Sequence, residues 1–466
     1  MKTLHIITTR CFSVCILLLQ CISLPLHANE INTSLTLKFA IQQAQHNDPW
    51  LVENKYIQDS LESKSIAAGT LPDPIASISM LNLPTDGYDM NQENMTQIKL
   101  GLNQSFPRGD TLQLQRKKLQ ILSSQNPYQR ADRNAQIAVT VTALWLEVFK
   151  AKESIRLIEK DRVLFEQLIN ISAASYSTAF GGTQQQDVIR AQLELTRLDD
   201  RLTKLRQQQD VAQKKLTQWI SGQFVDQYAN NNLGSPSYST VEINSQQLPK
   251  LILQHPELMK LAEPELSEKL ASYFVQHPSV LALDRRIQAS ETDVDLSKQK
   301  YKSQWGINAA YSYRADQKSG KSRADFLSIG INFDLPLFTE NKQDKQLQAS
   351  VSQAEAIKTQ KWLLLRKMIA NFQTAKVQLH RLKQRSQLYQ QQLLPKIHEQ
   401  AEAALSAYTN DEGDFAEVVR ARIDVLDTEI NNLGIDVDRQ KTISQINYYL
   451  VTSDKHLARM NKGNQQ

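Results

Sequence analysis

The stretch KLGLNQSFPRGDTLQLQ, residues 99–115, changes its periodicity in the middle. Up to Phe106, apolar and polar side chains alternate, which is typical of a β-strand with one apolar face. After Pro107 a polar sequence rich in glutamine and leucine follows, which indicates a helix. The stretch SIGINFDLPLFTENKQDKQ, residues 328–346, makes the same change at Pro336. The sequence therefore predicts two strand-to-helix junctions, at Pro107 and Pro336.

An internal repeat organises the chain. Pro107 and Pro336 are 229 residues apart, and so are Pro49 and Pro278. The stretch DVIRAQLEL, which begins at residue 187, matches EVVRARIDV, which begins at residue 417, at an offset of 230. Three anchors at nearly one spacing indicate a tandem duplication, and the period is far too long for a solenoid unit.

Each half has the same predicted order of elements. A first helix is predicted over residues 36–68 and again over 270–302. Strand pairs with polar turns are predicted over 75–83 and 97–106, and over 305–313 and 326–335. Helical hairpins follow over 108–221 and 339–451. The predicted divisions are a leader (1–28), a first repeat (29–221), an equatorial connector broken by prolines (222–269), a second repeat (270–453) and a polar tail (454–466).

The helix after each strand pair is unusually long. Between residues 108 and 177 the only helix breakers are Gly109 and Pro127, and Pro127 predicts a kink or a local irregularity. A helix of this length would span about 105 Å. Apolar residues at alternating steps of three and four predict an antiparallel coiled-coil seam. They are Val141, Leu144, Val148, Ala151, Ile155, Ile158, Phe165 and Ile169 going out, and Ala191, Leu195, Leu198, Leu202, Leu205, Ala212, Leu216 and Trp219 returning.

The N-terminus has the pattern of a secretory leader. Lys2 and Arg10 precede an apolar run at 15–19, and Ala28 offers a small residue at a cleavage site. All three cysteines lie inside this leader: Cys11, Cys15 and Cys21. Cleavage would therefore leave no thiol, and lipidation of Cys21 is the alternative. The net charge of +5 comes from 54 basic and 49 acidic residues that are interleaved, so no nucleic-acid partner is indicated.

The strands have the length that a tilted strand needs to cross a bilayer. Four strands cannot close a barrel, and an open edge in lipid would leave backbone groups without hydrogen bonds. Three copies would together supply a 12-stranded barrel. The predicted fold class is therefore mainly α with a membrane β-barrel: two β-hairpins per protomer joined to long antiparallel coiled-coil helices, in a trimer with an α-helical tunnel. The alternative is an ordinary antiparallel sheet on a helical core.

The chain resembles the TolC family of trimeric outer-membrane exit ducts over essentially its whole mature length. Within that family it is similar to the heavy-metal branch that accompanies resistance-nodulation-division pumps. The stretches that carry the resemblance are AGTLPDP (68–74), NLPTDG (82–87), QSFPRG (104–109), HPSVLALDRRIQASETDV (277–294), and SKQKYKSQWGINAAYSYR through RADFLSIGINFDLPLFTEN (297–341).

The resemblance implies the outer-membrane channel of a tripartite efflux system in a Gram-negative bacterium. Such a channel is a homotrimer held in outer-membrane lipid, with its tunnel in the periplasm. Its expected partners are a periplasmic membrane-fusion (adaptor) protein and an inner-membrane pump of the resistance-nodulation-division class. Heavy-metal cations are the expected cargo. A duct for organic compounds, a type I secretion exit and a soluble periplasmic coiled-coil adaptor are the alternatives.

The resemblance also implies a gate at the periplasmic ends of the helical hairpins. Asp187 and Tyr408 match a gate pair, and Glu417 matches the first of two ring carboxylates. The chain departs from the family pattern twice, because Arg420 occupies the second carboxylate position and Gly413 the place of a gate arginine. Any acidic ring is therefore weaker, or displaced to Asp424 and Asp427. The expected adaptor-contact tips are Gly181, Gly182, Asn410 and Gly413.

Each of these residues also has a purely structural interpretation. Asp187 and Glu417 would lie in the first turns of returning helices, where the helix dipole favours acidic side chains. Glycines serve the reversal of any helical hairpin.

Signatures of enzyme chemistry are absent from the sequence. It contains no HExxH, no GxSxG and no glycine-rich phosphate loop. The histidines after the leader show no paired ligand spacing. Met80, Met90 and Met95 carry thioethers that can bind soft metals, but their scatter is more typical of packing. We expect no enzymatic activity, no bound metal and no cofactor.

Overall fold

The structure, a computed structural model, describes residues 36–177, 185–221, 247–410 and 412–453. The predicted leader, the first-turn glycines Gly181 and Gly182, residues 222–246 of the connector and the polar tail lie outside these ranges. These ranges contain long helices and a single four-stranded sheet, and the helices connect to the strands at one end of the sheet.

The first repeat contains five helices in the described residues. They are α1 (Leu37–His46), α2 (Pro49–Ala68), α3 (Thr111–Ser124), α4 (Asn126–Ser177) and α5 (Gln185–Ile220). The prediction of a single helix over 36–68 is wrong, because the helix ends at His46 and a new one begins at Pro49. Asp48 caps the new helix by accepting a hydrogen bond from the Trp50 amide (3.2 Å), and proline suits the first helical position since it has no N–H to satisfy.

The predicted irregularity near Pro127 is confirmed. Gln125 separates α3 from α4, and beyond it α4 continues for 52 residues, about 78 Å of unbroken helix. α5 returns antiparallel along α4, and the last helix of the second repeat, Phe415–Tyr449, packs against both.

The second repeat has a different set of helices. After a 3₁₀ turn at Pro256–Lys260 come α6 (Glu263–Val275), α7 (Pro278–Gln299), α8 (Gln343–Leu388), a π-helical segment (Tyr389–Leu393), α9 (Leu394–Thr409) and α10 (Phe415–Tyr449). Two predictions need correction. The helix predicted over 270–302 is divided before Pro278, in the same way as its counterpart. The helix predicted from residue 339 starts only at Gln343 and contains the π-helical segment, which lies directly before Pro395.

The four strands are β1 (Ile75–Leu81), β2 (Gln97–Phe106), β3 (Trp305–Tyr313) and β4 (Phe326–Phe333). β2 and β3 have the predicted bounds, while β1 and β4 each end two residues early. Their order is β1-β2-β3-β4, and every neighbouring pair is antiparallel. The two hairpins therefore join through β2 and β3, so one sheet contains strands from both repeats.

The predicted coiled-coil seam is confirmed as the core of the helical body. Buried members of that seam are Val141, Val148, Ala151, Ile155, Ile158 and Phe165 on α4, and Ala191, Leu198, Leu202, Ala212 and Leu216 on α5. Near the far end of the helices they pack with Phe415, Val418 and Leu426 of α10. The described part of the connector packs beside the helices: the Leu251 amide donates to Gln440 Oε1 (2.7 Å) on α10.

Candidate functional site

The two faces of the sheet differ sharply in chemistry. Because cross-strand partners point to the same side, the observed register assigns each residue to one face. We call one the apolar face; apart from Gln104 it comprises Ala76, Ile78, Met80, Ile98, Leu100, Leu102, Phe106, Trp305, Ile307, Ala309, Tyr311, Tyr313, Leu327, Ile329, Ile331 and Phe333. The predicted alternation is therefore confirmed across all four strands.

This apolar face is exposed. Leu327 and Ile329 are each 74% exposed, and Ile331 is 65% exposed. An ordinary antiparallel sheet buries its apolar face against a core, whereas here the helices lie beyond the end of the strands. An exposed apolar surface of this extent marks an interaction surface.

Apart from Ile75, Leu81 and Phe326 at the strand ends, the opposite, polar face is lined by small and hydrophilic residues. Two asparagines lie over two glycines there: an added Cβ on Gly330 would be 2.6 Å from Asn308 Oδ1, and one on Gly306 would be 2.5 Å from Asn332 Oδ1. Any larger residue at either glycine would displace the asparagine. The pairs keep this face flat and hydrophilic.

Aromatic side chains mark the helix-side end of the apolar face. Phe106, Trp305 and Phe333 are cross-strand partners in one row, and the rings of Trp305 and Phe333 are 4.8 Å apart. Tyr311 and Tyr313 lie toward the opposite end of β3. This distribution is typical of the two interfaces of a membrane-spanning sheet.

The two junctions meet through an ion pair between the repeats. Arg108, which follows Pro107, pairs with Asp334, which precedes Pro336. Arg108 Nη1 also donates to the Lys302 carbonyl (3.0 Å), and Asp334 Oδ1 accepts from the Gln304 amide (2.7 Å). The strand-to-helix passages therefore form one clasped unit, which no local sequence pattern predicts.

A second clasp joins the loops at the other end of the sheet. Arg323 in the β3–β4 loop donates to Asn94 Oδ1 (3.0 Å) and the Glu93 carbonyl (3.3 Å) in the β1–β2 loop. Lys318 pairs with Asp89 across the same loops (2.9 Å). Sequence reasoning missed this contact because it joins residues about 230 positions apart.

The helical tip of the second repeat is a tight turn between α9 and α10. Tyr408 packs edge-to-face on Phe415, with ring centroids 5.5 Å apart. The Glu412 amide donates to the Ala407 carbonyl (3.0 Å), and Asp414 caps α10 by accepting from the Ala416 amide (3.0 Å). Asn410 ends α9.

Gly413 is required by close approach within this turn. A Cβ there would be 2.7 Å from the Tyr408 amide nitrogen and 2.9 Å from the Ala407 carbonyl carbon. Since both of these atoms belong to the backbone, the turn itself would have to move. This structural role accounts for glycine at a position where the family resemblance leads one to expect arginine.

The predicted gate residues lie near the start of α5, the end of α9 and the start of α10. Asp187 lies in the first turn of α5 and Glu417 in the first turn of α10, as the helix-dipole interpretation also predicts. Glu417 and Arg420 are exposed. The pairing of Asp187 with Tyr408 stays a prediction, and Gly181 and Gly182 lie outside the described residues.

The carboxylates considered for a displaced acidic ring differ in environment. Asp427 pairs with Arg201, so it joins α10 to α5, whereas Asp424 is exposed. Of the two, Asp424 is therefore the one whose charge is not already matched by a neighbouring cation in the described structure.

Two titratable groups, the partly buried Asp132 and the fully buried His277, lie within the helical body. Burial raises the pKa of Asp132, although its carboxylate accepts hydrogen bonds from Tyr448 Oη and Gln136 Nε2, each 2.8 Å long. Burial lowers the pKa of His277 to about 4, so the ring is neutral at pH 7. Its Nε2–H donates to the Tyr448 carbonyl (3.1 Å). These groups join the start of α7 and the second turn of α4 to the end of α10.

Within the described ranges, no cluster of three or more histidine, cysteine, aspartate or glutamate side chains is placed to hold a metal ion. None of the helices described is both long enough and apolar enough to cross a membrane.

Solved structures share this arrangement of sheet and helices. The chain superposes on the outer-membrane channel OprN with a TM-score of 0.71 at 14% identity, covering 89% of each chain. The chain therefore has the fold of this outer-membrane channel. The Campylobacter jejuni CmeC outer-membrane channel gives a TM-score of 0.70 at 11% identity, over 89% of this chain and 85% of CmeC.

A third structure with the fold is CusC, described in connection with folding and transmembrane channel formation. It gives a TM-score of 0.69 at 13% identity, with 90% of this chain and 92% of CusC covered. No protein-family model matches the sequence, and no curated protein matches it significantly. At these identities the likeness establishes the fold.

Proposed function

We propose that this chain is the protomer of a passive outer-membrane efflux channel of the TolC family. The observation that carries the proposal is the four-stranded sheet, which presents a continuous exposed apolar face and lies at the end of a long helical body. The shared fold with OprN, CmeC and CusC supports it.

The dimensions of the apolar face suit a bilayer. From Trp305 to Tyr313 there are eight residue steps, about 26 Å along a strand. With a strand tilt of about 40°, this corresponds to a height of about 20 Å, close to the apolar band of about 25 Å in outer-membrane barrels. The polar face would then line an aqueous lumen.

The edges of the sheet explain why several copies are needed. Within the described residues, β1 and β4 each pair with only one strand. In an antiparallel order of four strands, β1 and β4 run in opposite directions, so β4 of one copy can pair antiparallel with β1 of the next. Three copies would close a 12-stranded barrel and leave no open edge in lipid.

The helical body would continue the barrel as a periplasmic tunnel, closed at its tips until partners bind. An adaptor protein would contact the tips, and an inner-membrane pump of the resistance-nodulation-division class would supply energy. We propose heavy-metal cations as the cargo, on the sequence resemblance described above. A duct for organic compounds or for type I secretion is the alternative within the same architecture.

The barrel is tested by placing a charge on each face. Ile331→Arg puts a cation on the apolar face, one row in from the aromatic row. A lipid-facing arginine costs about 2–4 kcal/mol at the bilayer midplane and less towards the interfaces. We expect loss of heat-labile trimers from the outer-membrane fraction. Ser328→Arg, on the polar face of the same strand, is the matched control and should assemble. Normal membrane trimers of Ile331→Arg would contradict the barrel, and an intact water-soluble monomer would favour a soluble adaptor.

The cargo requires a separate experiment. Deleting the gene and profiling tolerance to copper, silver, zinc, cadmium and cobalt should reveal sensitivity to at least one cation. Restoration by the intact chain is the control. Unchanged metal tolerance together with new sensitivity to organic compounds would replace the proposed cargo without affecting the channel.

A further inference from the structure

The second junction contains an apolar segment that the channel function does not use. Residues 334–342, which we call the second-junction loop, connect β4 to α8 and include Leu335, Leu337 and Phe338. Phe338 is 91% exposed and Leu337 is 71% exposed. Large apolar side chains at this exposure on a connecting loop are unusual, since loops normally present polar groups to water.

The first repeat provides an internal comparison. Its junction, residues 107–110, reads PRGD where the second reads PLFTEN from residue 336. The first junction is polar and fastened to the body: Lys302 Nζ pairs with Asp110 (3.2 Å), and the Asp110 amide donates to Gln299 Oε1 (3.1 Å). The tandem repeat therefore does not itself require an apolar junction.

The position of the loop indicates what covers it. Leu335 continues the alternation of Leu327, Ile329, Ile331 and Phe333, so the loop extends the apolar face beyond the end of β4. The aromatic row of Phe106, Trp305 and Phe333 lies immediately before it. Aromatic rings favour the headgroup level of a bilayer, so residues just beyond such a row lie at the membrane–water interface.

From this geometry we propose that Leu337 and Phe338 form an interfacial anchor that inserts into the inner leaflet of the outer membrane. The proposal rests on the proposed function, because it takes the apolar face to be the lipid-facing surface. The occupant is lipid. The anchor fixes the depth of the loop beyond Asp334, the residue that pairs with Arg108, whereas the polar first junction stays in water. Phenylalanine and leucine are the side chains that amphipathic interfacial segments bury at this level.

Single cysteines carrying a nitroxide label test the anchor in the full chain reconstituted in phospholipid vesicles. The chain's three cysteines all precede residue 22, so the parent chain serves as the labelling blank. Phe338→Cys reports the proposed anchor, and Leu337→Cys reports it with Phe338 retained. Ile331→Cys marks the apolar face, and Gln113→Cys marks an exposed polar site in the first turn of α3.

The measurement is collision of each label with oxygen, which concentrates in lipid, relative to a water-soluble nickel complex. We expect the oxygen-to-nickel ratio at residues 337 and 338 to be several-fold higher than at residue 113 and lower than at residue 331. A ratio equal to that at residue 113 would overturn the anchor. Immobilised labels that neither reagent reaches would also overturn it, since a second copy would then cover the loop. A water-like ratio at residue 331 would instead reject the proposed function itself.

Discussion

The two repeats enter and extend their long helices in different ways. The first reaches α3 after four residues, 107–110, and then forms a 52-residue helix. The second needs nine residues, 334–342, and its long helix is interrupted by the π-helical segment Tyr389–Leu393 just before Pro395. Both repeats therefore have an interrupted helical arm, α3–α4 in the first and α8–α9 in the second. The first arm is interrupted near the sheet at Gln125, and the second only after the 46 residues of α8, at the π-helical segment. π-helical segments of this kind are frequent at functional sites.

The hydrophobic cores around Trp145 in the first repeat and Phe372 in the second differ as well. In the first repeat, Trp145 packs over the small residues Ala40 and Ala44. In the second, Phe274, Phe372 and Tyr449 form an aromatic cluster with centroid separations of 6.3–6.5 Å. Because α10 contributes Tyr449 here and also packs on α4, it links the two cores.

The largest predicted effect tests how far the second core depends on its aromatic cluster. Phe372 is fully buried, so Phe372→Ala should lower the free energy of unfolding by about 3–5 kcal/mol through lost burial and a residual cavity. Denaturant unfolding followed by circular dichroism measures it. Lys367→Ala, at an exposed position of the same helix, is the control and should change little. A loss below about 1 kcal/mol in Phe372→Ala would show that the cluster is dispensable.

The turn between α9 and α10, at the tip of the second repeat, gives the next prediction. Gly413→Val places its Cβ against backbone atoms of Tyr408 and Ala407, so the turn should be destabilised by up to about 3 kcal/mol. Gly434→Ala on α10 is the matched control. Its Cβ would be 3.3 Å from Lys150 Nζ, the end of a flexible side chain, and alanine favours the helix. Equal unfolding midpoints for the two variants would mean that Gly413 is not needed for the turn.

The first residues of α2 and α7 allow a pH comparison between the repeats. Both helices begin at a proline 229 residues apart, but the cap is Asp48 in one and the fully buried His277 in the other. An unfolded histidine has a pKa of 6.5, and the folded pKa of His277 is about 4. The unfolded chain therefore binds the proton first, and stability falls as pH drops from 6.5 towards 4.

This linkage amounts to about 2 kcal/mol at pH 5 relative to pH 7.5. His277→Asn keeps a capping side chain without a titrating group, so its unfolding free energy should depend less on pH in this window. The difference between the parent chain and the variant, measured at pH 5 and pH 7.5, isolates His277 from other groups. Identical pH profiles of the parent chain and the variant would mean that the pKa of His277 is the same in the folded and the unfolded chain.

What could be predicted from the sequence follows from how local each signal is. Strand alternation needs only neighbouring residues, so β2 and β3 were predicted with their observed bounds. The break before Pro49 also has a local signal, since an aspartate followed by proline is typical of a helix start. The clasps made by Arg108 and Arg323 were not readable, because each joins a side chain to groups more than 190 residues away. Recognition of gate positions depended on the family resemblance alone.

The smallest predicted effect concerns the interruption in the second arm. The Leu394 amide donates to the Tyr389 carbonyl, five residues back, and Pro395 has no amide with which to resume the regular pattern. Pro395→Ala restores that donor, so the local opening free energy should rise by about 1 kcal/mol. This is less than the roughly 3 kcal/mol that a proline costs inside a regular helix, because the π turn already accommodates the ring.

Amide hydrogen exchange over residues 385–395 measures the change, and residues 156–166 of the unbroken α4 are the internal reference. In the parent chain we expect faster exchange in the second arm, and in the variant a smaller difference between the arms. If the two arms already exchange alike in the parent chain, the π-helical segment is as rigid as a regular helix. The mechanical contrast between the repeats would then lie in the junctions or in the break at Gln125, where their backbones also differ.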